Sequence, residues 1–280
     1  MKILLCTKHD LVGAMMLNLI LPRIVGEHAV SVLLANRRRP EAATIPELKW
    51  MKLIEQDIPA RLLFPLLDLQ AAAGAVPQPE RWLSFQALSQ HHGVPIRNAG
   101  HIAQASVLTG LVADAAPDLI VSFQFGFIFK PEALAVPRIG ALNLHSGALP
   151  ERAGVNPTFW CMKDGDSHAA CTLHWIDRGI DSGDLVEVRR IPIDYTRSFF
   201  ANWIDNYRNG AAMIGDAIVS LARDGQLPAT AQDAGARRYV PTPTADDFRV
   251  FHAAGRRMID ADDVLALLSA YLPDEPSDPA

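Results

Sequence analysis

The chain has few cysteines, and no apolar run is long enough to cross a membrane. Only three cysteines occur among 280 residues, Cys6, Cys161 and Cys171, and no two of them have the spacing of metal ligands. An odd number of cysteines without a secretory context predicts reduced thiols and a cytoplasmic location. No apolar stretch approaches the roughly 20 residues that span a bilayer. We therefore expect neither a bound metal nor a membrane partner.

Basic residues are also scarce relative to acidic residues. The chain carries 26 lysines and arginines against 31 aspartates and glutamates, and its formal net charge is -5. Because proteins that bind nucleic acid usually carry a basic excess, we expect no nucleic-acid partner. The run Arg37-Arg38-Arg39 is a local exception. It is typical of a solvated loop after a strand, with a phosphate contact as the minor alternative.

Two motifs that identify common enzyme chemistries are absent. No glycine-rich loop follows the first predicted strand, which disfavours a nicotinamide enzyme and a P-loop protein. There is also no Gly-x-Ser-x-Gly elbow. Ser146 is a poor nucleophile for His145, because adjacent residues of a strand point to opposite faces.

Apolar strands alternate with helical patterns over the first half of the chain. This alternation predicts an α/β fold with a Rossmann-like, mainly parallel sheet. The predicted strands are 2–7, 29–34, a short strand that begins at Val94-Pro95-Ile96, 118–123, and the run from Ile139 that ends with Asn143 and His145. The predicted helices are 12–24, 45–69 in two pieces that separate at Pro59 with Pro65 as a second candidate break, 79–90, 103–115 and 131–136. Ligands bind such sheets beyond the carboxyl ends of the strands.

The second half of the chain begins with two strands, at 169–176 and 185–193, and continues with a long helix at 198–222. The composition then shifts to alanine, proline, arginine and aspartate. We therefore predict a catalytic domain at 1–222 and a small, mostly helical C-terminal subdomain at 223–280.

Asn143, His145 and Asp181 are the residues most suggestive of catalysis. Asn143 and His145 lie two residues apart at the end of an apolar strand, so both side chains point to one face. Asp181 follows in the turn Ile180-Asp181-Ser182-Gly183. An amide donor, an imidazole and a carboxylate together suit acyl transfer, in which an oxyanion develops and a proton moves.

These residues belong to a longer pattern that resembles the folate-dependent formyltransferases. The pattern consists of Asn143-Leu-His145, Leu149-Pro150, Gly154-Val-Asn-Pro157 with Trp160, Asp164-Gly165, Thr172-Leu-His174 and Asp181-Ser-Gly183. Order, spacing and residue type agree with that family over some 70 positions. One departure is Glu151-Arg152-Ala153, where most members carry an aromatic residue and an arginine.

The resemblance implies a reaction and a co-substrate. Asn143, His145 and Asp181 would be the catalytic trio, and N10-formyltetrahydrofolate would donate the formyl group. Two loops would hold its pterin ring: the first comprises Phe125, Gly126, Phe127, Ile128 and Phe129, and the second contains Asp177, Gly179 and Ile180. Core packing is the competing role for the three phenylalanines. Thr172 and His174 would support the Asp181 loop.

The acceptor is expected to be a small-molecule amine. The segment from Arg223 onward holds six arginines and ten acidic residues, so it is too acidic to grip tRNA. The resemblance favours N5-hydroxyornithine, a siderophore building block, ahead of a nucleotide-linked amino sugar. The same residues could also serve a formyltetrahydrofolate hydrolase or a non-catalytic protein that binds folate or a nucleotide. Homodimerisation is left open.

Overall fold

The computed structural model describes residues 1–36, 44–73, 81–102 and 104–272. The run Arg37-Arg38-Arg39, the first residues of the helix predicted from residue 79, and residue 103 lie outside the described residues.

Seven strands form one sheet in the order β3-β2-β1-β4-β5-β7-β8. The first five strands of this order are parallel, and β7 and β8 run antiparallel to their neighbours. Two short strands, β6 and β9, form a separate parallel pair. The strands are β1 Lys2–Thr7, β2 Ala29–Ala35, β3 Ile96–Gly100, β4 Leu119–Phe123, β5 Gly140–His145, β6 Ala153–Gly154, β7 His168–Trp175, β8 Leu185–Pro192 and β9 Tyr239–Val240. This topology confirms the predicted mainly parallel α/β sheet.

Helices pack on both faces of this sheet. They are α1 Leu11–Ile24, α2 Pro46–Lys52, α3 Phe64–Ala72, α4 Phe85–His92, α5 Ala105–Ala115, α6 Pro131–Leu134, α7 Pro157–Asp164, α8 Phe199–Asp224, α9 Ala245–Ala253 and α10 Ala261–Leu268. Alternate residues of β1 face two separate apolar clusters: Ile3 and Leu5 join the larger one, while Leu4 and Cys6 join the smaller one. The near-continuous apolar strands of the sequence are therefore strands buried on both faces.

The predicted break at Pro59 is wrong, because the chain stays helical from residue 46 to residue 72. Two π-helical segments, Leu53–Asp57 and Pro59–Leu63, connect α2 to α3. The Ile58 N–H donates to the carbonyl of Leu53, and the Phe64 N–H donates to the carbonyl of Pro59. These wider turns accommodate a proline, which has no N–H to donate and disturbs an ordinary α-helical turn.

The segment after α8 packs against the rest of the protein. Buried side chains of this segment belong to the larger apolar cluster, namely Phe248, Phe251, Met258, Leu267 and Tyr271. The division into domains 1–222 and 223–280 stays a prediction.

None of the helices in the described part of the chain has the length and apolar character needed to cross a membrane.

Candidate active site

A cavity of about 1230 Å³ lies at the carboxyl ends of the parallel strands, where the fold class predicts a ligand. The strand order reverses direction between β1 and β4, and β5 lies next to β4. All eleven predicted site residues line this cavity, namely Asn143, His145, Asp181, Phe125, Gly126, Phe127, Ile128, Phe129, Asp177, Gly179 and Ile180. The fold therefore gathers in one place the residues that the sequence pattern singles out.

Asn143 is oriented by His174 from the neighbouring strand. The antiparallel register of β5 and β7 places Asn143 opposite His174. The His174 Nδ1–H donates to the carbonyl of Trp175 over 2.8 Å, so Nε2 is free to accept from Asn143 Nδ2 at 3.1 Å. Burial lowers the pKa of His174, which favours this neutral form. Since one amide hydrogen is used in this bond, the second remains for a ligand.

The proton positions of His145 follow from its partners. Its Nε2 lies 2.7 Å from the carbonyl oxygen of Arg152, and a carbonyl only accepts, so Nε2 carries a hydrogen. Its Nδ1 lies 3.6 Å from Asp181 Oδ2. Nδ1 is therefore the nitrogen that can gain or lose a proton, and the carboxylate stabilises the charge when a proton is gained.

Asp181 occupies a left-handed backbone conformation with φ of +50°. Such a φ is uncommon for a residue other than glycine and is often found at functional sites. Its carboxylate accepts a hydrogen bond from the Gly154 N–H at 3.3 Å and lies 3.8 Å from His174 Nε2. Asp181 thus faces both histidines of the site.

Two residues of the C-terminal segment hold the Asp181 loop from outside. The Arg237 guanidinium donates to the carbonyls of Ile180 at 2.7 Å and Asp181 at 3.0 Å. The Gln232 amide donates to the carbonyl of Asp181 at 3.1 Å and to that of Gly183 at 2.7 Å. No motif in the sequence identifies Arg237 or Gln232, because neither belongs to the formyltransferase-like pattern.

The same C-terminal segment also meets the loop beside His145. Tyr239–Val240 pairs in parallel with Ala153–Gly154, the strand that follows Arg152. Gly154 has φ of +109°, and a Cβ at this position would collide with the carbonyl oxygen of Val240. Only glycine fits both the backbone conformation and this close approach.

The first predicted pterin loop has a buried and an exposed part. Phe125 and Phe129 stack with ring centroids 5.6 Å apart and pack in the smaller apolar cluster. These two phenylalanines therefore pack in the core, which is the competing role given for them in the sequence analysis. Ile128 is 51% exposed, and Ile180 of the second loop is 52% exposed, so both present apolar surface at the cavity. An apolar slot of this kind suits a flat ring system.

Asp177 shapes the second loop through its own side chain. Its Oδ1 accepts hydrogen bonds from the Gly179 N–H at 2.9 Å and from the Ser182 hydroxyl at 2.7 Å. Short polar side chains commonly close turns in this way.

Thr172 supports a different loop from the one predicted. Its hydroxyl donates to the carbonyl of Gly147 at 2.6 Å and accepts from the Leu149 N–H at 3.1 Å. It therefore fixes the turn that follows His145, which is its cross-strand neighbour, and not the Asp181 loop.

The unusual Arg152 contributes its backbone to the site. Its carbonyl accepts from His145, whereas its guanidinium binds Asp164 at 2.6 Å and Asp166 at 2.7 Å. The side chain is thus engaged in ion pairs apart from the trio.

A second wall of the cavity carries polar residues that no sequence motif marks. Lys8 follows β1, Gln124 follows β4 with φ of +54°, and Glu55 lies in the first π-helical segment. The Lys8 ammonium lies 3.8 Å from Glu55 Oε1 and 4.0 Å from Asp10 Oδ2.

In the part of the chain that the structure describes, no group of three or more histidine, cysteine, aspartate or glutamate side chains is placed to hold a metal ion.

Part of the chain is similar to known formyl transferases. The sequence profile of the family described as formyl transferase matches residues 83–200. A methionyl-tRNA formyltransferase from Burkholderia ambifaria is 29% identical over 221 residues, which cover 76% of this chain and 64% of that relative. A second one, from Ralstonia pickettii, is 32% identical over 54% of this chain and 47% of its own length. The chain therefore spans only about half to two thirds of these relatives.

Solved structures share the fold at low sequence identity. A 4-N formyltransferase from Francisella tularensis has a TM-score of 0.56 and 12% identity, covering 96% of this chain and 87% of that one. An N-formyltransferase from Helicobacter canadensis, solved with folinic acid and dTDP-3-aminofucose, has a TM-score of 0.52 and 14% identity, covering 98% of this chain and 81% of that one.

Proposed function

We propose that this chain, whose residues 83–200 match the formyl transferase family, transfers the formyl group of N10-formyltetrahydrofolate to a small-molecule amine. The observation that carries the proposal is the convergence of Asn143, His145 and Asp181 in one cavity with the two predicted pterin loops. Binding alone has no need of an amide, an imidazole and a carboxylate that converge in one cavity.

The trio suits each step of the transfer. The amine nitrogen attacks the formyl carbon and forms the new C–N bond, and the second amide hydrogen of Asn143 donates to the developing oxyanion. His145 Nδ1 accepts the proton that the amine releases and passes it to N10 as the bond between the formyl carbon and N10 breaks. Asp181 stabilises the transient imidazolium, and tetrahydrofolate leaves.

For the acceptor, we favour N5-hydroxyornithine over a nucleotide-linked amino sugar. A hydroxylamine is more nucleophilic than an ordinary amine and needs less help from a base. Transfer to methionyl-tRNA is disfavoured, because the segment from Arg223 onward is acidic where a tRNA-binding segment needs basic residues.

A transfer assay tests this proposal. The protein is incubated with 10-formyltetrahydrofolate and, separately, with N5-hydroxyornithine, dTDP- and UDP-amino sugars, glycinamide ribonucleotide and methionyl-tRNA. We expect a formylated product with the first acceptor. Formate release without any acceptor identifies a hydrolase instead, and folate binding without turnover identifies a binding protein. Absence of both turnover and folate binding contradicts the proposal.

The trio is tested by replacing each member in turn. Asn143→Ala, His145→Ala and Asp181→Ala should each lower kcat by about 100-fold or more, the usual cost of losing an oxyanion donor or proton carrier. His91→Ala, which changes an exposed histidine of α4, is the matched control and should leave kcat unchanged. Near wild-type rates in the three variants, with folding intact by circular dichroism, would show that the trio is misassigned.

A further inference from the structure

Two buried carboxyl groups meet where the N-terminus of α1 lies against the helical stretch 46–72. Asp10 has no exposed surface and caps α1, because its Oδ1 accepts from the Gly13 N–H at 2.7 Å. Glu55 lies in the first π-helical segment and is 9% exposed. Asp10 Oδ2 and Glu55 Oε1 receive no hydrogen bond from an N–H or O–H group of the described residues. Each of these oxygens therefore has the other carboxyl as its available partner.

The contact between the two carboxyls requires a proton. The side chains of Asp10 and Glu55 are in hydrogen-bonding contact. An ionised carboxylate only accepts hydrogen bonds, so one of the two groups must carry a hydrogen. Like charges in contact cannot both ionise, which is why pairs of adjacent carboxyls hold one proton between them. In agreement, burial, followed by repulsion from Glu55, raises the pKa of Asp10 to about 8.

The groups that interact with this pair from the surrounding elements carry one positive charge. The Lys8 ammonium lies 3.8 Å and 4.0 Å from the two oxygens. Tyr271, in the segment after α10, and Tyr207, in α8, stay neutral because burial raises the pKa of each hydroxyl. Burial lowers the pKa of His9, whose charged neighbour is Asp68 of α3. One ammonium therefore balances the pair as long as the pair keeps one proton.

We infer that Asp10 and Glu55 share one proton and that this proton is a pH-sensitive switch that holds the cavity wall at Glu55 against the N-terminus of α1. With the proton in place, a hydrogen bond joins the two helical elements. When the proton is released to solvent, two buried carboxylates face each other beside a single ammonium, and they repel. Because Glu55 lines the cavity, the wall loosens as the pH rises. The switch needs no bound folate or acceptor, so it is independent of the proposed function.

The direction of the effect on stability follows from the raised pKa of Asp10. The folded protein keeps the proton up to about pH 8, whereas an aspartate of the unfolded chain loses it at about pH 4. Between these values the folded state binds more protons than the unfolded state, so stability falls as the pH rises. The contribution of the shared proton is complete below about pH 4 and is lost as the pH rises through about 8.

Asp10→Asn tests the switch, because an asparagine amide imitates a protonated carboxyl at every pH. Its oxygen can still cap α1, and its NH₂ group can donate to Glu55. Urea unfolding is measured for both proteins from about pH 5 to about pH 9. The unfolding equilibrium constant of the wild type, divided by that of Asp10→Asn, should rise by up to about tenfold per pH unit until about pH 8 and then level off. A ratio that does not change with pH overturns the inference.

Asp260→Asn is the matched control, because Asp260 caps α10 in the same way and is only half-buried. Its unfolding should follow the pH dependence of the wild type. Hydrogen exchange at the amides of residues 53–58, compared at one alkaline pH, should be faster in the wild type and in Asp260→Asn than in Asp10→Asn. Equal rates in all three proteins contradict a loosened wall.

Infrared spectroscopy detects the shared proton in the wild-type chain without relying on a variant. A protonated carboxyl has a C=O stretching band separate from the bands of ionised carboxylates. We expect such a band at neutral pH and its loss at alkaline pH. Asp10→Asn and Glu55→Gln should lack the band, and Asp260→Asn should keep it. A wild-type spectrum without the band at neutral pH overturns the inference.

Discussion

At the scale of single residues, the site depends on a histidine that touches no reacting atom. His174 accepts a hydrogen bond from Asn143 and thereby directs the second amide hydrogen toward the cavity. The pair arises from the antiparallel register of β5 and β7. Thr172 and His174, two residues apart on β7, therefore support His145 and Asn143, two residues apart on β5. The Thr172-Leu-His174 motif therefore lies directly across the sheet from the Asn143-Leu-His145 motif.

Replacing His174 should lower catalysis by misorienting Asn143. His174→Leu removes the acceptor nitrogen, and we expect kcat to fall about tenfold or more while the KM for 10-formyltetrahydrofolate changes little. His174→Gln keeps an acceptor oxygen and should retain most of the rate. Steady-state kinetics of both variants provides the measurement. Equal losses in the two would show that His174 serves packing alone.

At the scale of elements, two long-range contacts build the site from parts that appear unrelated in the sequence. The strand pair β6 and β9 joins the loop beside His145 to the C-terminal segment. Arg237 and Gln232 of that segment bind the Asp181 loop through backbone carbonyls. A contact to a backbone carbonyl depends on chain position and not on residue type, so the sequence around Asp181 contains no sign of it.

Loss of the Arg237 contacts should loosen the Asp181 loop. Arg237→Gln is expected to lower kcat about tenfold and to raise the KM for 10-formyltetrahydrofolate, because the loop contributes both Asp181 and Ile180 to the cavity. Hydrogen exchange should become faster at the amides of residues 179–183. Arg238→Gln, next in sequence, is the control. Unchanged exchange and kinetics in Arg237→Gln would rule out a positioning role.

The helix over residues 46–72 shows a limit of local rules. Proline usually ends a helix, and this rule predicts two pieces, yet the structure continues through Pro59 by two π-helical segments. Glu55 lies in the first of these segments and faces the cavity. Its position depends on packing of the whole helix against the sheet, which local propensity does not include.

At the scale of the whole molecule, the C-terminal segment adds aromatic side chains to the main core. Phe251 has no exposed surface and stacks on Phe159 of α7, with ring centroids 4.9 Å apart. Phe248 lies at the same centroid distance from Phe159. Because these rings are buried against α7, the C-terminal segment and the rest of the protein should unfold together.

Truncating this aromatic contact should destabilise the whole protein. Phe251→Ala removes a fully buried ring, which typically costs about 3–5 kcal/mol in free energy of unfolding. Val250→Ala, at an adjacent position that is 46% exposed, should cost far less. Urea unfolding followed by fluorescence and circular dichroism measures both. We expect one cooperative transition, and a separate low-stability transition of the C-terminal segment would contradict the coupling.

The sequence by itself determined the order of the main strands and helices and the eleven predicted residues that gather in the cavity, because periodicity and motif spacing are local properties of the chain. Only the tertiary structure decided that His174 orients Asn143 over a separation of 31 residues and that Arg237 binds the backbone of Asp181 over 56 residues. The wall of Lys8, Glu55 and Gln124 likewise depends on the pairing of β1 with β4 and on the packing of the helix over residues 46–72 against the sheet. Such pairs depend on which strands become neighbours and in which direction they run, and this is settled by burial of the sheet as a whole.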